Sequence, residues 1–135
     1  MTVVVGYVPT AEGRAALRQA SEECRLRNTR LVVVNSHRGG SSFQGAEAAR
    51  YEEELDEVSR GLDAEGLDHE VRQLVLGSEP AEDLIAVAQE VAADMIVIGL
   101  RRRSPVGKLI LGSNAQRILL DAPCPVLAVK AGDEP

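Results

Sequence analysis

Short apolar runs rich in β-branched residues alternate along the chain with longer segments whose apolar residues recur at helical spacing. The predicted strands cover 2–6, 30–35, 69–75, 94–99 and 126–129. The predicted helices cover about 10–28, 46–64, a segment that begins near 80, and 113–120. Strands that alternate with helices in this way predict an α/β protein with a five-stranded parallel sheet covered by helices on both faces.

Composition agrees with one domain that spans residues 1–135. The chain is 44% hydrophobic but only 2% aromatic, so its core must consist of Val, Leu, Ile and Ala. The formal net charge of −6 argues against non-specific binding to nucleic acid. No apolar run approaches membrane-spanning length and Met1 leads directly into a strand, so we expect neither a signal peptide nor membrane insertion. Cys24 and Cys124 form no C-x-x-C motif, and we expect two buried free thiols in a cytoplasmic protein.

The position of a ligand site follows from the predicted sheet. In open parallel sheets, ligands bind at the carboxyl ends of the strands, where the strand order reverses. If the fourth strand lies beside the first, the loops 6–10 and 99–112 meet at that point. The second loop carries three consecutive arginines, 101–103, and leads into a helix. Arginine and the amides of a helix N-terminus both bind anions, although an arginine run is also typical of a solvated loop.

The start of the last helix has a structural interpretation as well. Ser113 and Gln116 fit the capping box S/T-x-x-E/Q, so we expect the Ser113 side chain to cap this helix. Gly112 would then supply the turn before it. A capped helix still offers free backbone amides, so a ligand role for Ser113 stays open beside the cap.

From Val3 to Val129 the sequence resembles the universal stress protein family. The motif that carries the resemblance is Gly-x2-Gly-x9-Gly-(Ser/Thr), of which Gly99 matches the first glycine and Gly112-Ser113 the last pair. In nucleotide-binding members this motif holds the phosphates and ribose of ATP. The resemblance implies a Rossmann-like fold of the adenine-nucleotide alpha hydrolase type, with strand order 3-2-1-4-5. It also implies a homodimer in which the last strands, here Pro125 to Val129, pair across a two-fold axis.

Two positions depart from the family pattern. Arg102 stands at the middle glycine of the motif, where a side chain obstructs the approach of phosphates to the backbone. Val8 stands where nucleotide-binding relatives carry an Asp that contacts adenine. An arginine could instead hold phosphate through its guanidinium group. The predicted ligand-binding residues are Tyr7, Val8, Val34, Ile98, Gly99, Arg101, Arg102, Gly112, Ser113 and Asn114.

Two functions stay open. The resemblance implies a stress-response module that binds ATP or another adenine nucleotide, with Mg²⁺ as an accompanying ion, and does not turn it over efficiently. The alternative is a family member that binds no nucleotide and acts through homodimerisation and protein partners. No acidic residue occurs between Ile96 and Leu120, which argues against an enzyme while leaving a weak ATPase activity open. His37 and His69 lack metal-ligand spacing, and the chain contains no Walker A or G-x-G-x-x-G motif.

Overall fold

A computed structural model describes residues 1–37, 46–75, 79–100 and 111–131. The described chain alternates strictly between strand and helix. The strands are β1 (Thr2–Gly6), β2 (Arg30–His37), β3 (His69–Val75), β4 (Met95–Leu100) and β5 (Val126–Lys130). The helices are α1 (Ala11–Arg27), α2 (Ala46–Ala64), α3 (Pro80–Glu90) and α4 (Ser113–Asp121).

The five strands form one parallel sheet in the order β3-β2-β1-β4-β5. β1 lies at the centre, so that Val4 pairs with Val32 of β2 on one side and Ile96 of β4 on the other. The predicted fold class and strand order are therefore confirmed. The order reverses between β2 and β4, on either side of β1, and this reversal creates the crevice expected of such sheets.

Alternate residues of the central strands serve two separate cores because successive side chains point to opposite faces of the sheet. Val3 and Val5 belong to the core beneath α1 and α2, whereas Val4 belongs to the core beneath α3 and α4. All three valines are fully buried. At about 1.5–3 kcal/mol for each fully buried side chain of this type, these strands supply much of the stability.

Helix-end signals place α1 as the sequence predicts. The Thr10 hydroxyl accepts a hydrogen bond from the backbone N–H of Gly13 at 3.2 Å, and Asn28 ends the helix in the left-handed conformation with φ 53°. β2 is two residues longer than predicted because Ser36 and His37 still pair with Leu74 and Val75 of β3.

The two cysteines differ in environment. Cys24 is 1% exposed, and burial raises the pKa of its thiol to about 11. Cys124 is only partly buried, which corrects the prediction that both thiols are buried, and burial raises its pKa as well. Both are free cysteines. Over the ranges described, no helix is both long and apolar enough to cross a membrane.

Candidate functional site

A cavity of about 400 Å³ opens at the carboxyl ends of β2, β1 and β4, between the N-terminal turns of α1, α3 and α4. It lies at the reversal of strand order, where the sequence predicts a ligand site. Its lining residues are Gly6, Tyr7, Val8, Glu12, Gly13, Val34, Ser36, Pro80, Leu84, Ile98, Gly99, Leu100, Gly112, Ser113, Asn114, Ala115 and Ile118.

The structure brings eight of the predicted residues together around this cavity. They are Tyr7, Val8, Val34, Ile98, Gly99, Gly112, Ser113 and Asn114. The other two, Arg101 and Arg102, lie outside the described residues. Sequence reasoning missed Glu12 and Ser36, which are the two further polar side chains among the described residues of the cavity wall. Their positions in the sequence were the available signal, because Glu12 follows β1 in the first turn of α1 and Ser36 lies at the carboxyl end of β2.

Tyr7 lines the cavity, and its side chain, which is 3% exposed, belongs to the core beneath α1 and α2. The hydroxyl donates to Glu54 Oε1 at 2.7 Å, and the same carboxylate oxygen accepts from the Arg14 guanidinium at 3.3 Å. Burial, followed by the Glu54 carboxylate, raises the pKa of Tyr7 well above its usual value. Tyr7 therefore stays a neutral phenol that joins the chain after β1 to α2.

Gly99 is required by the packing of α1 against β4. A Cβ atom at this position would lie 2.2 Å from the carbonyl oxygen of Glu12. Gly13, in the same turn, is equally constrained, because a Cβ there would lie 1.8 Å from the carbonyl oxygen of Val8. These close approaches place the half-buried Glu12 on the cavity wall. Its carboxylate forms no ion pair or hydrogen bond with the part of the chain that the structure describes.

The prediction that Ser113 caps α4 is wrong. The N-cap residue is Gly112, with φ −69° and ψ 167°, and it forms no side-chain capping bond. Ser113 is already the first helical residue and is exposed, so its hydroxyl is displaced by one position from where a cap is needed. The Gln116 side chain donates to the Leu111 carbonyl at 2.9 Å rather than completing a capping box. Gly112 is open with respect to the described residues, none of which has an atom within 4 Å of where a Cβ at this position would lie.

Asn114 joins the two helices that border the cavity. Its Oδ1 accepts a hydrogen bond from the backbone N–H of Ala81 in the first turn of α3, at 3.2 Å. The N-cap of α3, Glu79, makes no side-chain capping bond of its own. Asn114 thus supplies from α4 the acceptor that the start of α3 requires.

The Ser36 hydroxyl donates to Asp83 Oδ2 on α3. Asp83 is 8% exposed, and it lies in the first turn of α3, where the helix dipole favours negative charge. This contact ties the carboxyl end of β2 to α3.

Among the described residues no group of three or more His, Cys, Asp and Glu side chains could hold a metal ion. His69 has a structural environment away from the cavity. Its Nε2 lies 2.9 Å from the Ser59 hydroxyl and its Nδ1 lies 2.9 Å from the Leu67 carbonyl.

The doubly wound sheet, with a cavity at its switch point and helix N-termini around that cavity, defines the class of α/β proteins whose ligands bind at the carboxyl ends of the strands. The family model for the universal stress protein family matches residues 1–130. The chain belongs to the universal stress protein family.

Three similar proteins match this chain over nearly the whole length of both sequences. A universal stress protein of Mycolicibacterium smegmatis is 44% identical over 95% of this chain and 96% of its own. The structure of a universal stress protein from Archaeoglobus fulgidus is 40% identical, with a TM-score of 0.80, and covers 96% of this chain and 98% of its own. A structure of the universal stress protein from the same organism in complex with dAMP is 34% identical, with a TM-score of 0.75 and the same coverage.

Proposed function

We propose that this chain binds an adenine nucleotide in the cavity at the carboxyl ends of β1 and β4 and acts as a nucleotide-responsive module of the stress response in the cytoplasm. The observation that carries the proposal is the composition of the cavity. Apolar walls that include Val34, Leu84 and Ile98 suit a base, and the open Gly112 at the start of α4 suits phosphate. The similar structure with bound dAMP supports an adenine ligand.

Efficient turnover is not part of this proposal. Hydrolysis needs a general base and usually a metal held by carboxylates. Within the described cavity wall, Glu12 is the single acidic side chain. Mg²⁺ would therefore enter with the phosphates of the nucleotide rather than bind to a protein site of its own.

The second candidate is a homodimer that acts through protein partners without a nucleotide. Val8 favours it, since this side chain is 41% exposed at the position where the family pattern has an adenine-contacting Asp. Both candidates include a homodimer, which the edge of β5 that stays unpaired within the described sheet supports. The two candidate functions differ in whether a nucleotide binds in the cavity.

Calorimetric titration of AMP and ATP, with and without Mg²⁺, separates the two candidates. We also expect adenine nucleotide to be released when the freshly purified protein is denatured. If no adenine nucleotide binds at millimolar concentration, the nucleotide-binding proposal is wrong and the second candidate stands.

Ser113→Ala tests the ligand site without disturbing the fold. Because Ser113 is exposed and does not cap α4, we expect the free energy of unfolding to change by less than about 0.5 kcal/mol. If its hydroxyl donates to phosphate, AMP affinity should fall about fivefold to tenfold. A loss of stability near 1 kcal/mol would instead indicate a capping role.

A further inference from the structure

Ser36 lies on the cavity wall at the end where a base would bind. The cavity extends over the carboxyl ends of β4, β1 and β2, which are neighbours in the sheet, so it spans about 10 Å. Phosphate belongs at the β4 side, where α4 begins. The base then occupies the side of β1 and β2, next to Val34 and Ser36.

The hydrogen bond to Asp83 fixes what the Ser36 hydroxyl can do. A serine hydroxyl has one hydrogen to donate and two lone pairs that accept. An ionised carboxylate only accepts, so the hydrogen of this bond belongs to Ser36. Asp83 is nearly buried, and it forms no ion pair with any residue in the described ranges, so this hydroxyl is its side-chain partner there. Ser36 therefore offers only lone pairs to a ligand.

The other polar side chains of the wall do not duplicate this role. The Tyr7 hydroxyl and the Asn114 carbonyl oxygen are bound within the protein, and Ser113 lies at the phosphate side. Val8 provides no polar group where the family pattern has a carboxylate. Ser36 is left as the fixed hydrogen-bond acceptor at the β2 side of the described wall, whereas Glu12, the remaining acceptor, packs beside Gly99 of β4.

We infer that Ser36, held as an acceptor by Asp83, is a specificity-determining residue that selects a purine with a 6-amino group over one with a 6-oxo group. This inference rests on the proposed nucleotide site. Adenine presents an N–H donor at position 6, whereas hypoxanthine presents a carbonyl acceptor there. A carbonyl facing the lone pairs of Ser36 leaves both acceptors without a donor, which disfavours binding. Asp83 acts as a positioning residue because it orients the hydroxyl without touching the base.

AMP and IMP differ at this position and carry the same ribose phosphate, so their calorimetric affinities give the test. We expect the wild-type protein to bind AMP at least about tenfold more tightly than IMP. An unpaired polar group at a preorganised site lowers the affinity by that factor or more. Ser36→Ala should lower AMP affinity and reduce the preference to less than about threefold. Asp83→Asn should also reduce it, because an amide can donate to Ser36 and free the hydroxyl to donate to IMP. Thermal unfolding of each variant checks that the fold is kept.

Ser21→Ala is the matched control, since among the described residues the Ser21 hydroxyl donates to the Leu17 carbonyl within α1 and to no other group, and Ser21 does not line the cavity. It should keep the wild-type preference. Equal binding of AMP and IMP by the wild-type protein overturns the inference and leaves the nucleotide-binding proposal standing. Binding of neither ligand overturns both. If Ser36→Ala weakens AMP but leaves dAMP unaffected, the hydroxyl contacts the ribose and the inference is wrong.

Discussion

Gly99 and Gly112 both match the family motif, but their surroundings in the fold are opposite. Gly99 lies under the first turn of α1, where a Cβ would be 2.2 Å from a backbone oxygen. Gly112 lines the cavity, and a Cβ there would have no neighbour within 4 Å among the described residues. One glycine is therefore demanded by packing, and the other is free to meet a ligand.

Substituting each glycine by alanine separates these roles. Gly99→Ala should lower the free energy of unfolding by about 3 kcal/mol or more, because the backbone of α1 cannot move without disturbing β4. Gly112→Ala should cost less than about 1 kcal/mol, the difference between Gly and Ala as N-cap residues, yet should lower AMP affinity about tenfold because its methyl group enters the cavity. Urea denaturation and calorimetry measure the two effects. A Gly99→Ala variant as stable as the wild type would contradict the packing role.

Between elements, Asn114 shows how a residue predicted as a ligand group also holds two helices together. Asn114→Ala removes the acceptor for the Ala81 N–H and should destabilise the protein by about 1 kcal/mol in urea denaturation. Asn114→Asp keeps the acceptor and places negative charge at the N-terminus of α3, so its stability should match the wild type. Equal destabilisation by both substitutions would show that this hydrogen bond is not the cause.

Element positions could be predicted from the sequence because they depend on local periodicity and on end signals. α2 has the predicted bounds, and Asn28 ends α1 as expected. The cap of α4 was predicted wrongly because Gly112-Ser113 allows the helix to begin at either residue, and only the backbone dihedral angles decide. Glu12 and Ser36 were missed at the cavity for a different reason. Their positions after β1 and at the carboxyl end of β2 indicated the correct edge of the sheet, but their contact with the cavity also depends on the close approach of α1 to β4 and on the contact between β2 and α3.

At the scale of the whole molecule, β5 leaves one edge of the sheet unpaired over the described residues, since it pairs with β4 alone. The Pro125 carbonyl accepts from the Ile96 N–H at 3.0 Å and so faces β4. Because backbone groups alternate in direction along a strand, Leu127 and Val129 also face β4, whereas the N–H groups of Val126 and Ala128 face outward. An exposed edge of this kind is a template for pairing with a second copy.

Ala128→Pro removes the central outward N–H while keeping every bond to β4, as proline is tolerated where its nitrogen faces away from the sheet. If two copies pair through β5, light scattering at micromolar concentration should find a dimer for the wild type and a monomer for this variant. Ala128→Ser retains the N–H at nearly the same volume and should remain dimeric. Circular dichroism should show the same secondary structure in all three proteins. A dimer that survives Ala128→Pro would place the interface elsewhere, and a monomeric wild type would refute the dimer altogether.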